Sequence, residues 1–209
     1  MLLTANLQLL GPGSIKLVKQ PISQIKPTLR RAILTGGLGF SGVSLCVFAT
    51  VAFAERWMYQ HLTVLGAYVV WTVLFIVLGA AVLGSLIAAP LRLVKFYILY
   101  ALAFLVYAAG WVSAYFTLRD IDGEWAGSLA GSILMSLVFA IGFKRTRSTP
   151  IYAVLLFVAN SLGYFLGSAL FGSIGGKTGM LLFGAVYGLF LGAGIGALLH
   201  FAQVRPTTS

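Results

Sequence analysis

Charged residues are scarce in this sequence. Of its 209 residues, 9% are charged and only four are acidic, whereas about a quarter of the residues in soluble domains are charged. A water-soluble fold of this size needs charged side chains on the exposed side of its helices. With 60% of the residues apolar, the composition excludes a soluble globular protein.

Cysteine and histidine are also nearly absent. The single cysteine, Cys46, excludes an intrachain disulfide and a cysteine cluster for a metal ion. The two histidines, His61 and His200, fall near opposite ends of predicted spans, so they cannot hold a haem between them. We expect His200 to be an interfacial hydrogen-bonding residue. The sequence predicts no metal site and identifies no cofactor.

Long uncharged windows dominate the rest of the chain, and each is long enough to cross about 30 Å of hydrocarbon. They predict an all-α polytopic membrane protein with a bundle of six transmembrane helices in residues 32–203. Residues 1–31 are expected to form a basic interfacial segment or tail, and residues 204–209 a short tail. The six predicted spans are Ile33–Ala54, Leu62–Ala89, Val94–Leu118, Glu124–Phe143, Ile151–Gly172 and Gly179–Phe201.

The distribution of charge predicts the orientation of these spans. Eleven basic residues fall in the two tails and in the second and fourth loops, whereas the other loops hold three basic residues and all four acids. The positive-inside bias then places both termini in the cytoplasm, in a multi-pass protein of the cell membrane, of the bacterial inner-membrane type. The net charge of +10 suits anionic lipid. Nucleic acid is not expected as a partner, because short loops cannot build an extended basic face.

An acidic stretch lies in the third loop, at the predicted outer rim. Asp120, Asp122 and Glu124 alternate along it, but the loop is too short for an EF-hand calcium site, which needs twelve residues. We expect these acids to form solvated ion pairs with the outer basic residues Arg56, Arg119 and Lys177. A weak cation site or a substrate entrance remains as the alternative.

Glycines in the last span predict a site of close helix packing. Gly184, Gly188, Gly192 and Gly196 follow at four-residue intervals, so they share one face of the helix. Without side chains on that face, a neighbouring helix can approach backbone to backbone. Gly163 and Gly167 in the fifth span have the same spacing and predict a close pair of the fifth and sixth helices. A seam between copies of the chain, or a groove for a flat ligand, is the alternative.

Asn160 is the strongest candidate for an internal ligand site, because it is the one strongly polar side chain deep in a span. An unpaired amide in hydrocarbon costs several kcal/mol, so Asn160 needs a partner. The candidate partners are Tyr164, a serine of the fourth span, or a ligand. The candidate ligand-binding residues are Asn160, Tyr164, Ser128, Ser132 and Trp111. The alternative is that Asn160 and the serines only join helices.

Reactive groups are missing from the middle of every span. No Asp, Glu, Lys or Arg is predicted at midplane depth, which disfavours ion-coupled transport and catalysis, so no catalytic residue is assigned. No internal repeat is recognisable. We therefore expect a non-catalytic membrane protein, a structural or assembly subunit of a larger complex or a homo-oligomer, with the bilayer and other subunits as partners. The alternative is a passive or partner-driven transport component that binds a neutral or amphipathic small molecule.

Overall fold

The computed structural model describes residues 27–88 and 93–203, and within these ranges all regular secondary structure is helical. Five helices are long and apolar enough to cross a membrane. Large apolar side chains such as Leu65, Ile98 and Val154 are exposed along them, as expected for a protein that faces lipid. The helices are α1 (Leu29–Gly84), α2 (Leu93–Leu118), α3 (Asp120–Gly142), α4 (Thr149–Ile174) and α5 (Gly176–Gln203), with a short 3₁₀ turn at Thr146–Ser148.

The predicted tails are only partly covered by these ranges. Residues 1–26 of the predicted N-terminal segment and the predicted C-terminal tail 204–209 lie outside the described residues, as do residues 89–92 between α1 and α2. Helix α1 begins at Leu29, with the Thr28 side chain accepting a hydrogen bond from the Arg31 backbone amide. The first helix therefore includes the last three residues of the segment that was predicted to precede it.

Helix α1 has 56 residues and is broken at Thr63, whose backbone is not helical (φ 62°, ψ 169°). The two arms of α1, residues 29–62 and 64–84, run antiparallel and pack on each other. Phe40 and Phe48 of the first arm both lie against Phe75 of the second, with ring centroids 6.0 and 6.4 Å apart. A positive φ is unfavourable for a β-branched residue, so the packing of the arms must hold Thr63 in this conformation.

The same tight turn occurs three times, at equal intervals of 56 residues. Arg119 (φ 58°, ψ −179°) joins α2 to α3, and Gly175 (φ 68°, ψ 179°) joins α4 to α5. At both positions the amide donates to the carbonyl four residues earlier, and the carbonyl accepts from the amide four residues later. The backbone therefore contains a repeat that was not recognisable in the sequence.

In the helix hairpins α2–α3 and α4–α5, an aromatic residue faces a glycine of the paired helix at every fourth position from the turn. A Cβ built on Gly123, Gly127 or Gly131 of α3 would contact Tyr115, Trp111 or Tyr107 of α2, respectively. In the next hairpin Gly179 of α5 faces Phe171, and Gly167 and Gly163 of α4 face Phe183 and Tyr187. A missing side chain thus makes room for a ring on the opposite helix, which keeps the two backbones close.

The four-residue glycine series of α5 packs against the first arm of α1. A Cβ on Gly188 would lie 2.7 Å from the Phe40 carbonyl oxygen, while Gly192 and Gly196 meet the backbone at Gly36 and Ala32. The Ser41 hydroxyl donates a hydrogen bond of 2.7 Å to the Ala185 carbonyl across this contact. Gly192 and Gly196 are buried here, as is Gly184, which lies against Phe48.

The glycine series of α5 packs against α1, whereas the sequence analysis expected it to pack against the fifth predicted span, which is α4. Helices α4 and α5 do pack together, but through Gly163 and Gly167, which accept the rings of α5. The glycine face of α5 is turned away from α4, towards α1. Small residues of α1 at four-residue spacing, Ala32 and Gly36, complement it, and the sequence analysis did not consider them as a partner.

The two ends of the bundle differ in charge. The Pro27 carbonyl lies 2.9 Å from His200 Nδ1, and the Ala88 amide donates to the Gln203 side chain, so both described ends of the chain are at one end of the bundle. Lys144 and Arg145 lie there too, and we name it the basic end. The opposite end, with Thr63, Arg119 and Gly175, is the turn end. The acids Glu55, Asp120, Asp122 and Glu124 lie in the half of the bundle towards the turn end.

Gly188→Val should destabilise the protein by about 1–3 kcal/mol, because a larger side chain would force the α5 backbone away from α1. The measurement is the thermal unfolding temperature in detergent. Gly42→Val is the matched control, since Gly42 is an exposed helical glycine with open space around its Cβ position. Equal unfolding temperatures for the two variants would contradict the packing role of the α5 glycines.

Candidate functional site

A chain of hydrogen bonds crosses the interior and joins four helices. The Tyr187 and Tyr107 hydroxyls are 2.8 Å apart, and Tyr107 donates to Asn160 Oδ1 over 2.7 Å. Asn160 Nδ2 donates to Ser128 Oγ over 2.8 Å, and Ser128 lies 2.7 Å from Ser161 Oγ. The chain thus runs from α5 through α2 and α4 to α3, and we name these five residues the Asn160 cluster.

The protons of this cluster can be assigned a direction. Tyr107 gives its only hydroxyl proton to Asn160, so Tyr187 must donate to Tyr107. Ser128 accepts from Asn160 and is left with its own proton, which it can give to Ser161. Each hydroxyl or amide therefore polarises the next, which strengthens hydrogen bonds in a medium of low dielectric constant.

The cluster is buried except at Tyr187, which is partly exposed. Asn160 and Ser128 have no exposed surface, and Tyr107 and Ser161 are buried as well. Both the oxygen and the nitrogen of the Asn160 amide have protein partners, so the cost of placing an amide in hydrocarbon is compensated within the chain. The partners that Asn160 was expected to need are thus Tyr107 and Ser128, and ligand binding at Asn160 stays a prediction.

The side chains of the other candidate ligand-binding residues are not hydrogen-bonded to this cluster. The Tyr164 hydroxyl does not bond to Asn160 but donates to Glu124 Oε1 over 3.0 Å, and the Tyr164 ring lies 5.7 Å from that of Trp111. Ser132 is buried, and its hydroxyl has no hydrogen-bond partner among the described residues. The predicted set is therefore divided between the Asn160 cluster, an aromatic pair nearer the turn end (Trp111 and Tyr164), and Ser132, whose hydroxyl is unpaired among the described residues.

The predicted outer rim also has partners other than those expected. Glu124 and Glu55 accept hydrogen bonds from Tyr164 and Tyr59, and Lys177 Nζ lies 4.6 Å above the ring of Phe53. Asp120 and Asp122 stand in the first turn of α3, where a negative charge is favourable next to the free backbone amides. The part of the chain that the structure describes contains no group of three His, Cys, Asp or Glu side chains that could hold a metal ion.

Three residues of the Asn160 cluster were missed by the sequence analysis. Tyr107, Tyr187 and Ser161 fall within predicted spans, but no role was predicted for them. The sequence feature that could have identified the two tyrosines is their distance from a turn. Tyr107 and Tyr187 each lie twelve residues from a tight turn and face a glycine on the paired helix. Without the positions of the turns, this symmetry cannot be read from the sequence.

Two surface cavities lie away from the cluster. The first is a shallow groove of about 640 Å³ between α2 and α3, which we name the α2–α3 groove. Small residues form most of it, namely Ala109, Gly110, Ser113, Ala114, Thr117 and Ala130. The second has about 800 Å³ and lies at the basic end, next to Lys95, Lys144 and Arg145. Neither is lined by Asn160, Tyr164 or Ser132.

Comparison of the chain with known protein families, with characterised proteins and with solved structures finds no match.

Asn160→Leu should lower the thermal unfolding temperature in detergent, because it leaves Tyr107 and Ser128 without their shared partner. Hydrogen bonds of this kind between membrane helices contribute about 0.6–1.7 kcal/mol each. Ser173→Ala is the control, since Ser173 is exposed and bonds only to the Ala169 carbonyl of its own helix. A loss no greater than that of the control would show that the cluster does not hold the helices together.

Proposed function

We propose that this chain is a non-catalytic integral membrane protein that acts as a structural or assembly subunit, either of a larger membrane complex or of a homo-oligomer. The observation that carries the proposal is the α2–α3 groove. Its small residues leave space for a transmembrane helix of a partner to approach closely, a helix supplied by a second copy of this chain or by another subunit.

The shape of the groove supports a helix as its occupant. Ala109, Ser113 and Thr117 follow at four-residue intervals along α2 and form one wall. At the floor of the groove α2 and α3 pack closely, since a Cβ on Gly110 would lie 3.5 Å from the backbone of Ala130. A stripe of small side chains about two turns long is the surface that membrane helices use to pack against each other, because dispersion contacts drive their association in lipid.

The burial of Asn160 favours this function over transport. A transport component for a neutral or amphipathic molecule would need a cavity reaching Asn160, Tyr164 or Ser132. Asn160 is instead fully buried and bonded at both ends of its amide. The polar interior therefore supports a role in fixing the helices relative to one another.

Six membrane passes and a multi-pass location in the cell membrane, of the bacterial inner-membrane type, belong to the same proposal. The antiparallel arms of α1 support two passes by that helix, since 56 residues in a straight helix would extend about 84 Å. The concentration of Arg30, Arg31, Lys95, Lys144 and Arg145 at the basic end supports a cytoplasmic location for that end.

Single cysteines introduced into a Cys46→Ser background test this topology. Gln60→Cys and Ser173→Cys near the turn end should react with a membrane-impermeant maleimide on intact cells, and Thr146→Cys at the basic end should react only after permeabilisation. All three positions are exposed. Reaction at Ser173 together with protection at Gln60 would mean that α1 does not cross the membrane twice.

Ala109→Leu combined with Ser113→Leu should dissociate the complex, because the added side chains fill the groove where the partner helix packs. The measurement is the protein mass of the particle purified in mild detergent, determined by light scattering, with its chains identified by mass spectrometry. Ala169→Leu is the control on an exposed part of α4. A wild-type particle that contains one 22.3 kDa chain and nothing else would contradict the proposal.

A further inference from the structure

We propose that the basic-end cavity is a binding site for one anionic phospholipid of the surrounding membrane. This cavity of about 800 Å³ lies between the start of α2, the end of α3 and the end of α5. Its volume is within the range of about 300–1,000 Å³ that is usual for ligand sites. It is a different surface from the α2–α3 groove, so the proposal does not depend on the assembly function.

The lining has two chemically distinct parts. Lys95, Lys144 and Arg145 form a basic rim, and none of the described side chains that line the cavity is acidic. Ile98, Leu99 and Leu102 form an apolar wall below the rim. A ligand that satisfies both parts has an anionic group attached to a hydrocarbon chain.

The apolar wall continues into the lipid-facing surface of α2. Ile98 is 66% exposed and Leu102 is 51% exposed, and Leu105, one turn further along, is 49% exposed. An acyl chain that starts at the basic rim can therefore extend along α2 towards the middle of the bilayer. This continuity favours a membrane lipid over a soluble anion, which would make no use of the wall.

The backbone at Lys144 gives an independent reason to assign a role to this side chain. Lys144 has φ 57° and ends α3 in a motif in which its amide bonds to the Ile141 carbonyl and the Arg145 amide bonds to the Ala140 carbonyl. Glycine is the usual residue at this left-handed position, because other residues are strained there. Strained residues of this kind cluster at ligand sites and active sites. At Lys144 the side chain lines the cavity, where its ammonium group can meet a phosphate.

The opposite wall of the cavity is braced by Gln203 at the end of α5. Its side-chain oxygen accepts from the Ala88 amide over 3.0 Å, and its nitrogen donates to the Leu86 and Leu199 carbonyls over 3.0 and 2.9 Å. These bonds fix the segment that follows α1 against α5. The cavity therefore has a formed wall before a ligand enters it.

The experiment counts phospholipids retained by the full chain in native mass spectrometry, after detergent exchange with phosphatidylglycerol or with phosphatidylcholine. Phosphatidylglycerol should be retained as one molecule per chain and phosphatidylcholine should not. Lys144→Gln should weaken the retention of phosphatidylglycerol about fivefold, as expected for the loss of one basic residue near a lipid headgroup. Lys144→Arg should retain it, and Lys177→Gln, which removes a cation at the turn end, is the matched control.

The Lys144→Gly variant distinguishes a loss of lipid binding from a loss of protein stability. It removes the ammonium group and also relieves the strained backbone, so lipid retention should fall while the unfolding temperature stays at or above that of the wild type. Equal retention of both lipids, an equal loss in Lys177→Gln, or unchanged retention in Lys144→Gln would each overturn the proposal. So would displacement of the lipid by millimolar inorganic phosphate, which would identify a site for the free anion.

Discussion

The α5 backbone lies directly against the first arm of α1, because glycines remove the side chains that would separate the two helices. Gly188, Gly192 and Gly196 meet Phe40, Gly36 and Ala32 on this face. In lipid no hydrophobic driving force favours this contact, so its stability depends on dense packing and on interhelical hydrogen bonds such as that from Ser41 to Ala185. The last helix is thereby fixed to the first, which closes the bundle and brings the two described chain ends together.

With α5 fixed against α1, the Asn160 cluster positions the helices between them. Tyr187 of α5 reaches Tyr107 of α2, and Asn160 of α4 reaches Ser128 of α3. Such a chain is favourable only when every donor meets its acceptor, because an unpaired buried group costs more than a bond contributes. A shift of α2 or α3 by a single residue would break two bonds at once, and a shift of α4 would break three, so the cluster specifies the register of these helices.

The sequence predicts the helical membrane fold well, and the glycine-lined face of α5 is found as a packing surface, because hydropathy and glycine spacing are local properties. It does not predict which helix packs on that face, since α1 and α4 both offer small residues at four-residue spacing. It also identifies Asn160 but not its tyrosine partner, Tyr107, because a tyrosine in an apolar span has no distinctive pattern.

The repeat of the turn at 56-residue intervals cannot be recognised in the sequence, for a physical reason. The three turns share a backbone conformation and not a residue type, because the position is a threonine, an arginine and a glycine at Thr63, Arg119 and Gly175. No sequence motif therefore marks the turn.

The α2–α3 and α4–α5 hairpins pack rings against glycines in the same way, but their remaining small residues lie on different surfaces of the bundle. In the α2–α3 hairpin the aromatic residues of α2 face the glycines of α3, so the inner contact uses the rings of α2. The small residues Ala109 and Ser113 are then left on the outer side of α2, where they line the groove. In the α4–α5 hairpin the rings of Phe183 and Tyr187 turn towards α4, and the glycines of α5 are left to face α1. The same arrangement thus produces a small-residue surface that is buried within the chain in the α4–α5 hairpin and exposed in the α2–α3 hairpin.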